Sequence, residues 1–305
     1  MSLSLYTHPD CEIHEMPGHP ERPDRLRAVM KELANLGLLD TAHVTLASEI
    51  SDELLQRVHP REYIDYINAS EPAAGVIKVD PDTFMSSGST RAAKLAAGAL
   101  VEATTDVLDG RFNRAFCAIR PPGHHAEVAA AMGFCLYNNV ALAAETALAR
   151  EEIHRVAIVD FDVHHCNGTV DIFKDRPEVM VCSSFQDHFY PHRYLDFSND
   201  HILNLPLPPG STGEVFRRGV EQNWLQQLEQ HQPDMVFISA GFDAHIDDPL
   251  GELQFQIPDY EWITRSIVDI AERYAGGRLV STLEGGYDLA ALARSAGAHV
   301  SILAE

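Results

Sequence analysis

The sequence predicts an α/β fold in which a mainly parallel sheet is covered by helices on both faces. Four short apolar runs each end in ionisable or hydrogen-bonding residues. Buried parallel strands have this composition, and open α/β sheets carry their chemistry at the carboxyl ends of the strands. Segments with helical spacing alternate with these runs, which is typical of strand–helix–strand crossover units. No linker, charge block or internal repeat divides the chain, so we expect one domain over residues 1–305.

Each of the four predicted strands runs into a polar motif. Strand 116–119 is followed by 120–125, strand 156–159 by 160–165, strand 234–240 by 241–243, and strand 278–283 by 284–287. Because the carboxyl ends of parallel strands meet at one edge of a sheet, we expect these motifs to border a single cleft.

Helical spacing of apolar residues predicts six helices between and around these strands. The first carries Leu26, Val29 and Leu33 at helical spacing, and Pro23 suits its first turn because that turn has no partner for its N–H groups. The six predicted ranges are 22–37, 89–108, 138–149, 216–231, 259–274 and 289–303. The connections 16–23, 79–88 and 185–209 are long, and long loops in compact domains are commonly functional.

Composition and charge restrict the class of protein. The 305 residues are 45% apolar and 22% charged, as in a globular protein with a sizeable core, and the net charge is −22. Such an acidic chain is not expected to bind nucleic acid, which requires a basic surface. The charge either attracts cationic substrates or reflects solubility and a salt-rich environment. No apolar run has the form of a signal peptide or a membrane span, so we expect a cytoplasmic protein without a membrane partner.

The segment 160–165 has the composition of a divalent-metal site. Asp160, Asp162 and His164 follow a predicted strand at a spacing of two, and because successive strand residues alternate faces we expect all three to project to one side. Asp243 follows another predicted strand. Carboxylate oxygens and imidazole nitrogens bind Zn²⁺, and they also accept Fe²⁺ or Co²⁺. We expect Asp162, His164 and Asp243 to bind one ion and leave positions for water and substrate, whereas the alternative is a solvated loop without a ligand.

Two adjacent histidines and a tyrosine are candidate acid–base groups. His124 and His125 follow a rigid Pro-Pro-Gly turn that presents both rings together, which suits a general base and either a general acid or an electrostatic partner. Asp160 and Asn167 are the expected partners of their second ring nitrogens, and a carboxylate behind one ring with an amide behind the other separates the two pKa values. Tyr287 follows two glycines and is expected to donate to a developing oxyanion. The alternative is a solvated turn and a tyrosine without a catalytic role.

Together these motifs resemble those of the histone deacetylase family, also called the acetylpolyamine amidohydrolase or AcuC family. They occur in family order and cover nearly the whole chain. The matching segments are 19–23 (HPERP), 120–125 (RPPGHH), 133–135 (GFC), 160–165 (DFDVHH), 167–169 (NGT), 240–243 (AGFD) and 284–287 (EGGY). Asn167 and the residue pattern of 240–243 resemble the class II and bacterial deacetylase-like branch of the family more than class I.

The resemblance implies a single arginase/deacetylase-type domain with an eight-stranded parallel sheet. The implied catalytic groups are a zinc ion at Asp162, His164 and Asp243, an acid–base pair of His124 and His125, and Tyr287 as the electrophile. A structural potassium ion is implied at the positions Asp160, Asp162, His164 and Ser183. The implied substrate tunnel has Phe134 and Tyr190 as its aromatic walls, with Leu250 beside it and Asp82 as a carboxylate that anchors the substrate.

Four positions depart from the family pattern. Cys166 stands where glycine is usual and is expected to fill a small gap. Tyr190 stands where Phe is usual and is expected to add a hydroxyl to the tunnel rim. Leu250 occupies a place where polyamine-selective relatives can carry a glutamate, which weakens an acetylpolyamine assignment. The segment 183–185 is Ser-Ser-Phe where Ser-Leu-His is common in the family, which argues against a second, outer potassium site.

The implied activity is zinc-dependent hydrolysis of the amide bond between an acetyl or related acyl group and a primary-amine stem such as acetyl-lysine. An acetylpolyamine or another small N-acyl amine is the alternative substrate. A binuclear manganese ureohydrolase needs additional carboxylates beside the metal segment, and a non-catalytic acyl-amine-binding module has no need for the histidine pair and Tyr287. The sequence leaves the acyl length, the native metal and the oligomeric state open.

Overall fold

Four strands of the protein overlap the predicted apolar runs 116–119, 156–159, 234–240 and 278–283, and the other strands were not predicted. The structure is a computed structural model that describes residues 3–305, so residues 1 and 2 of the predicted domain lie outside the described range. Within that range the strands are β1 (Leu3–Thr7), β2 (His43–Leu46), β3 (Val76–Lys78), β4 (Phe84–Ser86), β5 (Arg114–Cys117), β6 (Val156–Asp160), β7 (Val179–Gln186), β8 (Ile202–Leu207), β9 (Met235–Ala240) and β10 (Leu279–Leu283).

Eight of these strands form one sheet in the order β2-β1-β5-β10-β9-β6-β7-β8, while β3 and β4 form a separate antiparallel hairpin. Every neighbouring pair in the large sheet is parallel. All residues of β6, β9 and β10 are buried. Because successive strand residues point to opposite faces, this burial requires cover on both faces of the sheet. The predicted eight-stranded parallel α/β fold is confirmed.

Most connections between the described strands contain helices, and only those from β3 to β4 and from β7 to β8 have none. Within residues 3–305 the helices are α1 (Asp24–Asn35), α2 (Leu38–Thr41), α3 (Asp52–Leu55), α4 (Arg61–Ser70), α5 (Ser89–Leu108), α6 (Asn139–Leu148), α7 (Asn167–Phe173), α8 (Gly213–Asn223), α9 (Leu225–His231), α10 (Ile257–Tyr274) and α11 (Leu289–Leu303), with a 3₁₀ turn at Pro9–Glu12. None of the helices in this part of the chain is both long and apolar enough to cross a membrane.

The helices follow the predicted periodicity with one correction and several additions. Helices α5 and α11 have the predicted bounds, and α1, α6 and α10 end within two residues of theirs. The single predicted helix 216–231 is wrong, because α8 and α9 are separate and meet at Trp224. The indole N–H of Trp224 donates to the Leu203 carbonyl at 3.1 Å, so the chain bends where this buried ring reaches β8. Helix α4 and the short helices α2, α3 and α7 were not predicted.

The predicted strand geometry beyond Asp160 is also wrong. Strand β6 ends at Asp160, and the following residues form a loop. Asp160 Oδ1 accepts a hydrogen bond from the Asp162 amide at 3.1 Å, and Asp162 Oδ1 accepts one from the His164 amide at 2.9 Å. Short carboxylate side chains that bond to nearby backbone N–H groups compete with the strand ladder and form turns instead. Likewise β5 ends at Cys117, two residues before the predicted end.

Candidate active site

The four polar motifs meet because the strands that precede them are neighbours. Strands β5, β10, β9 and β6 are consecutive in the sheet. Asp160 at the end of β6 lies opposite Ser239 of β9, and Ala240 of β9 lies opposite Leu283 of β10. The chain therefore leaves these strands at nearly the same level, and the segments that follow form one cluster at the carboxyl edge of the sheet.

Asp162, His164 and Asp243 present ligand atoms toward a common point. One ligand atom from each residue lies within 4.8 Å of the others. His164 Nδ1 is 3.0 Å from Asp162 Oδ1 and 3.2 Å from Asp243 Oδ2. The side chains of both aspartates are buried. These distances place two carboxylates around one imidazole nitrogen, as a mononuclear metal site requires.

The electrostatics of this group fit a bound divalent cation. Burial and the adjacent Asp162 carboxylate raise the pKa of Asp243 to about 7. Asp243 Oδ2 is buried and makes no hydrogen bond, although His164 Nδ1 lies 3.2 Å away. Two buried carboxylates are unfavourable without a compensating charge, and a metal ion supplies one.

The backbone packs closely around the carboxylates of Asp162 and Asp243. The Gly285 amide donates to Asp162 Oδ2 and the Val163 amide donates to Asp243 Oδ1, both at 2.8 Å. A Cβ at Gly285 would lie 2.1 Å from Asp243 Oδ2, and one at Gly241 would lie 2.0 Å from Asp162 Oδ2. Any larger residue at either glycine would displace a carboxylate, so the backbone itself orients both groups.

His124 and His125 are held side by side, each by a different partner. Their ring centroids are 4.0 Å apart. His124 Nδ1 is 2.9 Å from Asp160 Oδ2, and His125 Nδ1 is 2.6 Å from Asn167 Oδ1. His125 lines the cavity described below, whereas His124 lies behind it with Nε2 3.9 Å from Asp162 Oδ2.

The pKa values of the two histidines move in opposite directions, because only His124 has carboxylates close enough to outweigh burial. Burial opposes protonation of His124, but the carboxylates of Asp160 and Asp162 outweigh it and raise its pKa to about 10. Burial, together with the nearby His124 and His164, lowers the pKa of His125 well below its ordinary value. This is the separation that a carboxylate behind one ring and an amide behind the other predict.

The turn that carries Tyr287 is held from two sides. Arg25 donates from Nε to the Gly286 carbonyl at 2.6 Å and from Nη2 to the Glu284 carbonyl, and its guanidinium lies 4.9 Å from the centre of the Tyr287 ring. On the other side, the Tyr287 amide donates to Asp248 Oδ2 at 2.6 Å. Burial raises the pKa of Tyr287 well above its ordinary value, so the phenol keeps its proton.

A cavity of about 390 Å³ opens onto these groups. It brings His125, His164 and Tyr287 together with all four predicted tunnel residues. Its further lining residues are Asp82, Gly133, Phe134, Phe189, Tyr190, Pro249, Leu250, Gly251 and Glu252. Sequence reasoning missed Phe189, whose ring stacks on His164 with centroids 5.4 Å apart and planes 16° apart. The signal was available, because Phe189 directly precedes Tyr190 in an aromatic pair.

Two tunnel residues have contacts that the sequence did not indicate. Asp82 Oδ1 accepts hydrogen bonds from the Gly133 amide at 3.0 Å and from the Thr83 hydroxyl at 2.9 Å, so this oxygen supports the loop of Phe134. The Tyr190 hydroxyl is buried, so the prediction that it is exposed at the tunnel rim is wrong. Its ring packs edge-on against His125 at 5.2 Å, which directs the ring inward.

Ser183 and Cys166 lie close to the candidate metal ligands. Ser183 of β7 is opposite Asp160 of β6, and its hydroxyl oxygen is 3.4 Å from the Cys166 amide. The Cys166 side chain is fully buried, and burial raises the pKa of its thiol well above the ordinary value. Cys166 therefore has the environment of a packing residue rather than of a reactive thiol. The potassium site at these positions stays a prediction.

Sequence reasoning also missed the charged groups that support the histidine turn. Glu284 Oε2 accepts hydrogen bonds from the Gly123 and His124 amides at 2.7 and 3.2 Å. Arg120 pairs with both oxygens of Glu21 at 2.7 and 2.5 Å, and Arg25 pairs with Glu21 at 3.1 Å. Glu21, Arg120 and Glu284 stand within the matching motifs 19–23, 120–125 and 284–287, but their partners lie far apart in the chain.

Comparison with known proteins decides the family. A sequence profile described as the histone deacetylase domain matches residues 19–303. The chain belongs to the histone deacetylase family. The resemblance inferred from the motifs is thereby confirmed, while the roles of the individual site residues stay predictions.

Two relatives and one solved structure show the extent of the likeness to other members of the histone deacetylase family. The histone deacetylase-like amidohydrolase of Pseudomonas aeruginosa is 38% identical over 277 residues, which cover 88% of this chain and 73% of the relative. A probable deacetylase of Archaeoglobus fulgidus is 33% identical over 298 residues, which cover 95% of this chain and 82% of the relative. The crystal structure of the HDA15 HD domain is similar at a TM-score of 0.92 and 36% identity, and the match covers 99% of this chain and 89% of that one.

Proposed function

We propose that the protein is a zinc-dependent amidohydrolase that removes an acetyl or related acyl group from a primary-amine stem such as acetyl-lysine. The observation that carries this proposal is that one cavity contacts His164 of the candidate metal triad, His125 and Tyr287. Amide hydrolysis needs a Lewis acid, a proton acceptor and an oxyanion donor within reach of one carbonyl group. Membership of the histone deacetylase family, with relatives named deacetylase and amidohydrolase, supports the same reaction.

Asp162, His164 and Asp243 would hold the metal ion. A bound divalent ion polarises an amide carbonyl and lowers the pKa of water. Zinc is proposed because a mixed set of carboxylate and imidazole ligands suits it, and Fe²⁺ or Co²⁺ would suit the same set.

The hydrogen bonds of the histidine pair define their proposed roles. Asn167 Nδ2 donates to Glu127 Oε1 at 2.8 Å and to the His125 carbonyl at 3.3 Å, so its Oδ1 is the acceptor that faces His125 Nδ1. His125 then carries its proton on Nδ1 and keeps the lone pair of Nε2 for the water that attacks the amide. The Asp160 carboxylate stabilises protonated His124, which lies behind the cavity and suits an electrostatic partner of His125. His125, which lines the cavity, would return the proton taken from water to the leaving amine.

Tyr287 and the aromatic walls would complete the site. The phenol of Tyr287 keeps its proton and can donate to the oxygen that becomes negatively charged as the amide is attacked. Phe134, Phe189 and Tyr190 enclose the cavity with apolar rings, which suits an unbranched alkyl stem.

The metal prediction is one tightly bound divalent transition metal per chain. Chelation should remove activity, and zinc should restore it, because Asp162, His164 and Asp243 form the one group of three candidate ligands found in residues 3–305. Elemental analysis of the purified protein measures the stoichiometry, and Asp243→Ala is the matched variant that should lose metal and activity together. Two stoichiometric transition metals per chain, as in a ureohydrolase, or an active protein without any, would contradict the assignment.

The substrate prediction is activity on acetyl-lysine peptides, with a preference for cationic substrates. Asp82 and Glu252 line the cavity, its lining among residues 3–305 includes no Lys or Arg, and the net charge of the chain is −22. If this charge steers substrates, kcat/KM for cationic peptides should fall as ionic strength rises from about 0.01 to 1 M, over which the Debye length shrinks from about 30 to 3 Å. A neutral N-acetylated amine of similar length should respond little.

An acyl-substrate panel read by released amine tests the substrate prediction. It compares acetyl-lysine peptides with acetylated polyamines and small neutral N-acyl amines. The acidic lining favours acetylpolyamines as a second candidate, whereas Leu250 supplies no carboxylate to select for them. Rapid cleavage of acetylpolyamines with inert peptides would replace the peptide substrate by this second candidate and leave the amidohydrolase proposal intact.

A further inference from the structure

One buried carboxylate links the turn of Tyr287 to the rim of the cavity. Asp248 Oδ2 accepts hydrogen bonds from the amides of Tyr287 at 2.6 Å and Asp288 at 3.2 Å. Its other oxygen, Oδ1, accepts from the amide of Leu250 at 3.0 Å. The side chain of Asp248 is 6% exposed, so water does not replace these contacts easily. An acceptor-only group that satisfies three backbone donors in this way fixes both segments to one point.

The Tyr287 turn depends on such support because of its own sequence. Gly285 and Gly286 precede the tyrosine, and Gly286 has φ +123°, a region that glycine adopts without strain. The same glycines leave the backbone with more alternative conformations than other residues would. Arg25 holds the carbonyl groups of this turn, whereas Asp248 holds the amide of the residue that carries the phenol.

The second segment that Asp248 contacts is the wall of the cavity at Leu250. Leu250 lines the cavity together with Tyr287. The Asp248 amide also donates to the His245 carbonyl at 2.9 Å, which closes the loop that carries Leu250. Asp248 thus determines how far the rim of the cavity lies from the Tyr287 backbone.

We propose that Asp248 is a positioning residue that acts through Tyr287. It holds the backbone of Tyr287 at a fixed position relative to Leu250 and the cavity. The inference rests on the proposed function, in which the Tyr287 phenol donates to the oxyanion. Asp248 itself does not line the cavity, so its effect on the rate comes from the position of the tyrosine. Small displacements of a catalytic group reduce rates strongly, by about 100-fold for about 1 Å.

The test begins with Asp248→Asn, which keeps the size of the side chain. An amide has only one acceptor oxygen, so it cannot satisfy the amides of Leu250 and Tyr287 at once. We expect kcat to fall about 10- to 100-fold, while KM changes less than about 3-fold and the metal content is unchanged. Asp247→Asn is the matched control, because Asp247 is the exposed neighbour and its carboxylate makes no contact with the Tyr287 turn. It should keep the rate of the unmodified protein.

A double-variant cycle separates positioning from a general structural effect. If Asp248 acts through the phenol, Asp248→Asn in a Tyr287→Phe background should change kcat less than about 2-fold, because no phenol remains to be misplaced. A variant that merely loosened the fold would lower kcat in both backgrounds. Thermal unfolding of each variant shows whether it is folded at the assay temperature. If Asp248→Asn does not fold, Asp248→Glu keeps the charge, shifts it by one methylene and should show the same dependence on Tyr287.

The outcomes distinguish this inference from the proposed function. Losses that multiply in the double variant, or an unchanged kcat in both Asp248→Asn and Asp248→Glu, overturn the role of Asp248 and leave the amidohydrolase proposal standing. A Tyr287→Phe variant with the rate of the unmodified protein overturns the role of the tyrosine in catalysis and this inference with it. A loss that appears only when the phenol is present supports the positioning role.

Discussion

Tyr287→Phe is expected to fold and bind metal normally but to lose about 10²–10³-fold in kcat, which is the usual effect of removing one oxyanion donor. The substitution removes only the hydroxyl. The ring contacts with Phe134, at a centroid distance of 6.0 Å, and with the Arg25 guanidinium, at 4.9 Å, are kept, as is the backbone bond to Asp248. Steady-state kinetics on the best substrate of the acyl panel measures the loss.

Tyr190→Phe is the control for the Tyr287→Phe prediction. Tyr190→Phe also removes one phenol hydroxyl from a residue that lines the cavity, at a position where the proposed function has no oxyanion donor. It should change kcat far less than Tyr287→Phe does. Equal losses in the two variants would attribute the effect to the polarity of the cavity, and an unchanged rate in Tyr287→Phe would remove this residue from the mechanism.

Glu21→Gln is expected to destabilise the protein by about 3–5 kcal/mol, the usual consequence of removing one partner of a buried ion pair. Glu21, Arg25 and Arg120 have side chains that are fully buried, and the single carboxylate pairs with both guanidinium groups. Without it, two buried cations lose their compensating charge. Urea unfolding of the variant and of the unmodified protein measures the difference.

The pH dependence of this difference follows from the pKa of Glu21. Burial alone would raise it, but Arg120 and Arg25 outweigh burial and lower the pKa from 4.5 to about 2. A carboxyl group whose pKa is lower in the folded state stabilises the protein above its unfolded pKa, and this contribution is lost as the pH falls through the folded pKa. The stability difference between the two proteins should therefore shrink between about pH 4.5 and 2.

A matched substitution on the surface serves as the control for Glu21→Gln. Glu214 and Arg218 form an exposed pair on one helix at 2.9 Å, and Glu214→Gln should leave the unfolding free energy nearly unchanged because exposed pairs are screened by solvent. If Glu21→Gln changed stability as little as this control, the buried network would not be the structural support that its geometry indicates.

Local patterns were sufficient to predict four strands of the large sheet and five helices, but not the remaining elements of the fold. Helices α5 and α11 have the predicted bounds because their apolar spacing extends over several turns. Strands β6 and β9 were visible as continuous apolar runs, since strands buried on both faces need no polar alternation. The metal triad, the histidine pair and Tyr287 could be selected from residue type and position, because each follows a predicted strand at the reactive edge of a parallel sheet.

Tertiary contacts decided what local patterns could not. Asp162 and His164 lie outside the strand because carboxylate side chains accept hydrogen bonds from backbone amides two residues away. These bonds compete with hydrogen bonds to a neighbouring strand, and the neighbouring strand is known only from the fold. The inward position of the Tyr190 hydroxyl and the stacking of Phe189 on His164 depend on rings brought together by the fold.

The contacts between residues farthest apart in the chain are those that support the candidate catalytic groups. Asp248 lies 39 residues from Tyr287, Glu21 lies 99 from Arg120, and Arg25 lies 261 from the Gly286 carbonyl. Periodicity and residue type report which face of a helix or strand is buried, because they depend on neighbours within a few residues. They carry no information about which buried charge meets which backbone group across the chain. The sequence therefore determined the fold class and the candidate reactive groups of this protein, and only the tertiary structure decided how those groups are held.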